Sequence, residues 1–346
     1  MLIAWQFTAY RSAVSCKRPD KASAAVQPFT YVEIGATIRN LCMDGRRGSP
    51  YLCGIRKPIK IEAYMETVKL RNGVEMPLLG YGVYQVSPSE CERCVRDAIS
   101  VGYRMIDTAQ AYFNEQNVGN AIRSCGVPRN ELFIVTKVWI SNAGYERAKA
   151  SIDESLRKLQ TDYIDLLLIH QPFSDYYGTW RAMEEAYKAG KLRAIGVSNF
   201  YPDRFIDLAE FSEIPPMVNQ VETHVFNQQI EAQQIMQQYG THIMAWGPFA
   251  EGRNNFFSNE TLITVGAKYN KSAAQTALRY LLQRGVIVIP KSVRKERMEQ
   301  NIDVFDFTLS DEDMQRIRQL DLGHSLFFSH YDPQTVKWLC GYGKSK

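Results

Sequence analysis

Hydrophobic positions in this chain fall into short apolar runs that alternate with amphipathic stretches. Leu78–Tyr84 reads as a first buried strand, and further apolar runs follow at Met105–Ile106, Leu132–Thr136, Ile164–Ile169, Leu192–Val197, Met217–Val221, His242–Ala245 and Val286–Ile289. Each is short and lacks polar alternation, as expected of strands buried on both faces. Between them lie patterns with helical period: Pro88–Ser100, Glu115–Ser124, Tyr145–Leu159, Tyr177–Ala189, a helix opening at Pro202, Gln229–Tyr239, Asn259–Tyr269, Ser272–Gln283 and Arg294–Asn301. The last helix expected is Ser310–Leu320, before an aromatic tail. Ser87-Pro88-Ser89-Glu90 carries a helix start, with a hydroxyl cap, an early proline and a first-turn acid.

Eight strands, each followed by a helix, predict an α/β fold: a single (β/α)8 TIM barrel. Asn72-Gly73 between two short strand patterns adds an N-terminal β-hairpin, and Ser310–Leu320 an extra C-terminal helix. A doubly wound sheet is the alternative. It would carry G-x-G-x-x-G after the first strand, but Gly80-x-Gly82 stops short of that pattern, and position 85 is Gln.

Composition divides the chain in two. Residues 1–64 hold ten Lys/Arg against four acids, whereas residues 65–346 hold 31 against 33. The overall charge of +4 therefore belongs to the leader and gives no case for nucleic acid binding by the main domain. Residues 1–64 are expected to be a disordered extension or a misassigned start, and the barrel domain to span 65–346. No apolar run is long enough for a membrane span. Seven cysteines are scattered, and Cys91-x-x-Cys94 lies inside a helical pattern without a second pair. They read as free thiols in a reducing cytosol, with no metal site.

The chemistry-bearing residues sit where strands end. Asp107 closes Met105–Ile106, with Tyr112 five residues on. Lys137 follows Phe133–Thr136, and His170 follows Ile164–Ile169. In a parallel barrel these carboxyl ends form one face, where such folds place their sites. Singly, each has a bland reading as a cap, a solvated amine or a core imidazole. Four at successive strand ends favour a site.

Three segments carry a resemblance. Gly102-Tyr-Arg-Met-Ile-Asp107-Thr-Ala-x-x-Tyr112, Ile169-His170-Gln171-Pro172 and Ile289-Pro290-Lys291-Ser292-x4-Arg297 resemble, in order, the motifs of the aldo-keto reductase superfamily. The tail Leu326-Phe-Phe-Ser-His-Tyr-Asp-Pro and a short loop after His170 are similar to its short-loop, microbial-type branch, which includes prostaglandin F synthase-like, diketogluconate reductase-like and glyoxal reductase-like enzymes. The resemblance implies NADPH-dependent reduction of aldehydes, α-dicarbonyls and some ketones. Tyr112 would be the general acid, Lys137 and Asp107 would tune it, and His170 would orient the carbonyl. A cation beside a phenol favours phenolate, so Lys137 is expected to lower the Tyr112 pKa.

For the cofactor, the resemblance implies a site of Gly82, Val83, Tyr84, Asp107, Ser198, Asn199, Gln220, Trp246, Gly247, Pro248, Phe249, Lys291, Ser292, Val293, Arg297, Gln300 and Asn301. Ser198, Asn199 and Gln220 would hold the nicotinamide carboxamide, and Trp246 would stack on its ring. Gly247 stands where the family usually has Ser, and Gln300 where many members have Glu. Lys291, Ser292 and Arg297 suit an adenosine 2′-phosphate, hence NADPH over NADH. Tyr84, Tyr112, Trp139 and His170 are the expected substrate walls. The implied partner is a small-molecule carbonyl, with no nucleic acid or membrane, and the implied state is a cytoplasmic monomer, with a weak dimer as the alternative. Two other readings stand beside this one: a non-enzymatic binding subunit of the same fold, and a Schiff-base lyase using Lys137.

Overall fold

In the computed structural model, residues 66–342 are described; the expected 1–64 extension, with Cys16, Cys42 and Cys53, lies outside them. A hairpin comes first. β1 (Thr67–Lys69) and β2 (Glu75–Pro77) pair antiparallel with Val68 opposite Met76. Asn72 Oδ1 accepts the Val74 N–H, and Gly73 turns the chain at φ +88°.

Eight parallel strands follow: β3 (Tyr81–Gly82), β4 (Met105–Asp107), β5 (Phe133–Val138), β6 (Leu166–Ile169), β7 (Ile195–Ser198), β8 (Val218–Glu222), β9 (His242–Trp246) and β10 (Ile287–Val288). Each hydrogen-bonds its sequence neighbour. Leu79 bridges Val288, with Val288 N–H donating to Leu78 O and Gly80 N–H to Val288 O, so the last strand meets the first. The (β/α)8 barrel is closed. The first and last strands are shorter than their apolar runs because their pairing reduces to that bridge.

Connecting helices are α1 (Pro88–Ser100), α2 (Glu115–Ser124), α3 (Tyr145–Leu159), α4 (Tyr176–Lys188), α5 (Pro202–Phe211), α6 (Ile230–Gln238), α7 (Glu260–Lys268), α8 (Ala273–Gln283) and α9 (Lys295–Ile302). α10 (Asp311–Arg318) and α11 (Pro333–Gly341) end the chain. The Ser272–Gln275 capping box opens α8, and Asn259 caps α7. The expected hydroxyl cap at Ser87 is absent. Its Oγ donates to the Glu90 carboxylate instead of accepting a backbone N–H.

One close approach fixes a helix pair. A Cβ on Gly119 in α2 would lie 2.3 Å from Lys158 O, so α2 and α3 touch backbone to backbone. Every residue of β4 to β8 is buried, and this core holds the site residues at the strand ends rigid.

Candidate active site

Lys137 enters from β5, fully buried, and its ammonium has three acceptors. Nζ lies 2.7 Å from Asp107 Oδ1 at the end of β4, 2.8 Å from Thr108 O and 3.4 Å from Tyr112 Oη. Gln220 Nε2 on β8 donates to the other Asp107 oxygen at 2.8 Å. Burial pushes the Asp107 carboxyl up and the Lys137 ammonium down, and their mutual attraction opposes both shifts. Three hydrogen bonds on the amine and two on the carboxylate compensate the buried pair.

Tyr112 closes a 3-10 turn (Gln110–Tyr112) after β4, and the chain reverses at Phe113, where φ is +57°. Its ring lies 5.0 Å from Tyr84 and 5.6 Å from His170, centroid to centroid. The phenol is pushed well up, by burial first and then by Asp107 and Tyr84. This differs from the expected lowering by Lys137. The ammonium is paired with Asp107, so little net positive field reaches the phenol, and Tyr112 is held protonated.

His170 follows β6 directly and is held well below its ordinary pKa by burial, Lys137 and His330. Its imidazole is neutral, and Nδ1 has no hydrogen-bond partner among the described residues. Trp139 meets it edge to face at 5.0 Å, and Asn199 Nδ2 donates to its backbone carbonyl at 3.0 Å.

These groups border one cavity of about 730 Å³ at the carboxyl ends of the strands. Tyr84, Tyr112, Trp139 and His170, the four expected walls, all line it. So do Gly82, Asp107, Ser198, Asn199, Gln220, Trp246, Gly247, Pro248, Phe249 and Lys291. Val83, Ser292, Val293, Arg297, Gln300 and Asn301 do not border it. Val83 is buried and donates to Asp107 O, and Ser292 Oγ accepts the Arg294 N–H. Lys137 also stays behind the lining, screened by Asp107 and Tyr112.

Asn199 has its hydrogen-bonding capacity taken by the protein. Nδ2 donates to His170 O and Ser198 Oγ, and Oδ1 accepts from Trp246 Nε1 at 2.9 Å. Gln220 has its side-chain nitrogen engaged, and its Oε1 has no donor among the described residues. Lys291, Arg294, Lys295 and Arg297 lie exposed at the start of α9, and none has an ion-pair partner among the described residues. The donor set and cavity size suit a dinucleotide with an additional phosphate.

The tail supplies further walls. Phe327, Phe328, Trp338, Leu339 and Tyr342 line the cavity, the last three from α11 or its end. Trp139 Nε1 donates to Tyr342 O at 3.1 Å and ties that end down. Among the described residues no cluster fit to hold a metal occurs, and no helix is long and apolar enough to cross a membrane. Cys91 and Cys94 are free and buried, and burial pushes the Cys91 thiol up to about 12.

An acid, a phenol and an imidazole thus border one cavity of a closed parallel barrel, with a lysine buried just behind the first two. Residues 78–322 match the Aldo/keto reductase family, and the chain belongs to it. It is 49% identical over 258 residues to glyoxal reductase of Bacillus subtilis, covering 74% of this chain and 93% of that protein. It is 44% identical over 257 residues to the 9,11-endoperoxide prostaglandin H2 reductase of Trypanosoma cruzi, covering 73% and 91%. Among solved structures, a Bombyx mori aldo-keto reductase in complex with NADP superposes with a TM-score of 0.71 at 36% identity, covering 75% of this chain and 94% of that one.

Proposed function

We propose that the chain is an NADPH-dependent reductase of aldehydes, α-dicarbonyls and some ketones. The observation that carries this reading is the line Asp107–Lys137–Tyr112, whose phenol ring meets the neutral His170 edge to face at 5.6 Å on the cavity wall. NADPH, when bound, supplies the hydride. Tyr112 delivers a proton to the substrate oxygen, and its raised pKa keeps that proton in place beforehand. Lys137 holds the phenol and is the nearest cation when charge develops on it, since Nζ sits 3.4 Å from Oη. Asp107 keeps Lys137 charged. His170, neutral, orients the carbonyl through a ring N–H. Gln220, Ser198, Trp246 and Gly247 form the nicotinamide end of the cofactor site, and Lys291 with Arg297 the phosphate end. Asn199 acts there as a bracket. A cytoplasmic monomer fits this reading.

Lys137 does not border the cavity, which weighs against a Schiff-base lyase. The intact set of four groups weighs against a purely binding subunit. NADPH consumption with methylglyoxal and aromatic aldehydes, wild type beside Tyr112→Phe, tests the proposal. Turnover is expected to vanish in the variant while NADPH still binds. Equal turnover in the two would overturn it.

A further inference from the structure

On β8, Gln220 and Glu222 are two residues apart and share a face, and Glu222 is the last residue of the strand. Gln220 serves Asp107. Glu222 serves the tail. Its Oε2 accepts from Ser325 Oγ, and its Oε1 accepts the Leu326 N–H at 2.9 Å and His224 Nε2 at 3.0 Å. His224 is fully buried, and its Nδ1 accepts the N–H groups of Phe226 at 3.2 Å and Asn227 at 3.1 Å. Its proton is therefore on Nε2, aimed at Glu222. Ser325 Oγ, having given its proton to Glu222, accepts the N–H groups of Phe327 at 3.0 Å and Phe328 at 3.1 Å.

One carboxylate thus organises four successive residues, Ser325 to Phe328, of a segment with no regular structure. Two of the four are cavity walls. Phe327 packs edge to face on Trp246 at 5.2 Å, and Phe328 lies parallel to it at 6.3 Å. Arg253 closes the outer side, donating to Leu326 O at 2.7 Å and lying 4.3 Å over the Phe327 ring. Glu222 itself does not border the cavity, so it acts only through what it holds.

We propose that Glu222 is a positioning residue which, through Ser325, fixes Phe327 and Phe328 as the aromatic wall packed against Trp246. It thereby sets how well the site takes aromatic rather than small carbonyl substrates. The substrate half of this inference rests on the reductase reading; the positioning half does not.

The experiment uses the full chain with Glu222→Gln, Ser325→Ala and Ser325→Thr. Amide hydrogen exchange over residues 325–330 is measured together with the kinetics of phenylglyoxal and methylglyoxal reduction. Ser325→Ala and Glu222→Gln are expected to expose the Phe327 and Phe328 amides to faster exchange, and Ser325→Thr to restore protection. In the first two variants KM for phenylglyoxal is expected to rise about fivefold, with KM for methylglyoxal moving less than about twofold and kcat retained. Protection unchanged in both variants overturns the positioning role, whatever the activity. Protection lost with the two KM values moving together overturns the specificity role. A wild-type chain that reduces neither substrate would sink the reductase reading and the specificity role with it, while the exchange data still decide the positioning role.

Discussion

Trp246 donates its indole N–H to Asn199 Oδ1 at 2.9 Å, joining the end of β9 to the loop after β7. Asn199 passes that constraint on, because its amide nitrogen holds the His170 carbonyl at 3.0 Å. Its backbone is left-handed at φ +63°, a conformation Asn tolerates better than most residues. One side chain therefore ties the aromatic floor of the cavity to the imidazole that would orient the substrate.

Trp246→Phe keeps an aromatic face and removes the N–H, leaving Asn199 Oδ1 without its donor. Loss of one such bond costs the fold about 1 kcal/mol, and NADPH affinity is expected to fall as the ring at the proposed nicotinamide end is held less firmly. Asn199→Ala removes the His170 tether as well, so the carbonyl KM is expected to rise alongside the NADPH Kd. Fluorescence titration and steady-state kinetics separate the two. An Asn199→Ala enzyme with only its cofactor affinity changed would mean that the tether to His170 does no positioning.

The Asp107–Lys137 pair makes a second prediction, for stability. Both side chains are buried, so removing one partner strands a charge in the core. Asp107→Asn alone is expected to lower unfolding free energy by about 3–5 kcal/mol. Asp107→Asn combined with Lys137→Met is expected to recover much of that loss, since no lone charge remains. Denaturant unfolding of the two singles and the double decides it. A double variant as weak as the sum of its singles would show that packing, not charge, dominates the pair.

Much of this site is legible in the chain because it obeys the strand period. Asp107, Lys137 and His170 each close or follow a buried apolar run, and in a parallel barrel that fact alone brings them to one face. The direction of the Tyr112 shift was not legible, because it depends on how completely Asp107 screens Lys137. The tail was harder still. Asp332-Pro333 followed by Val336, Leu339 and Cys340 has a helix start and an i, i+3, i+4 face, and these three residues pack beside Trp139 and Ala111 as α11. Dense aromatic residues around it hide that period. Glu222 offered only its two-residue offset from Gln220, and its partner Ser325 lies 103 positions away.

Acid should loosen the fold through His330. Its Nε2 meets Gln171 Oε1 at 2.7 Å, and Tyr201 Oη lies 3.3 Å from Nδ1. Phe173 and Phe328 cover the ring. Burial is the main cause that lowers its pKa to about 4, with Arg204 adding to it and Glu222 opposing it. Between about 6.5 and about 4 the unfolded chain takes up a proton that the folded chain refuses. Stability is therefore full above that window and falls as pH drops through it, by up to about 3 kcal/mol for this group. Burial of neutral His170 acts in the same sense. His330→Asn is expected to flatten the fall between pH values of about 7 and about 5 in denaturant midpoints. A variant with the wild-type slope would remove His330 from the explanation.

The proposed phosphate end of the cofactor site makes the last prediction. Lys291, Arg294, Lys295 and Arg297 crowd the start of α9 with Glu296 in its first turn, and none of the four cations has an ion-pair partner among the described residues, so the local charge stays net positive and favours an anion. Arg297 is exposed and in the first turn, where its guanidinium and the helix N-terminus act on the same anion. Arg297→Ala is expected to weaken NADPH by about tenfold or more, the scale of one hydrogen bond to a charged group, and NADH far less. The NADPH loss should shrink as salt is raised, because an exposed ion pair is screened. Dissociation constants for both cofactors at two ionic strengths test this directly. Equal weakening of NADPH and NADH would move the extra phosphate away from Arg297 and leave Lys291, which lines the cavity, as its holder.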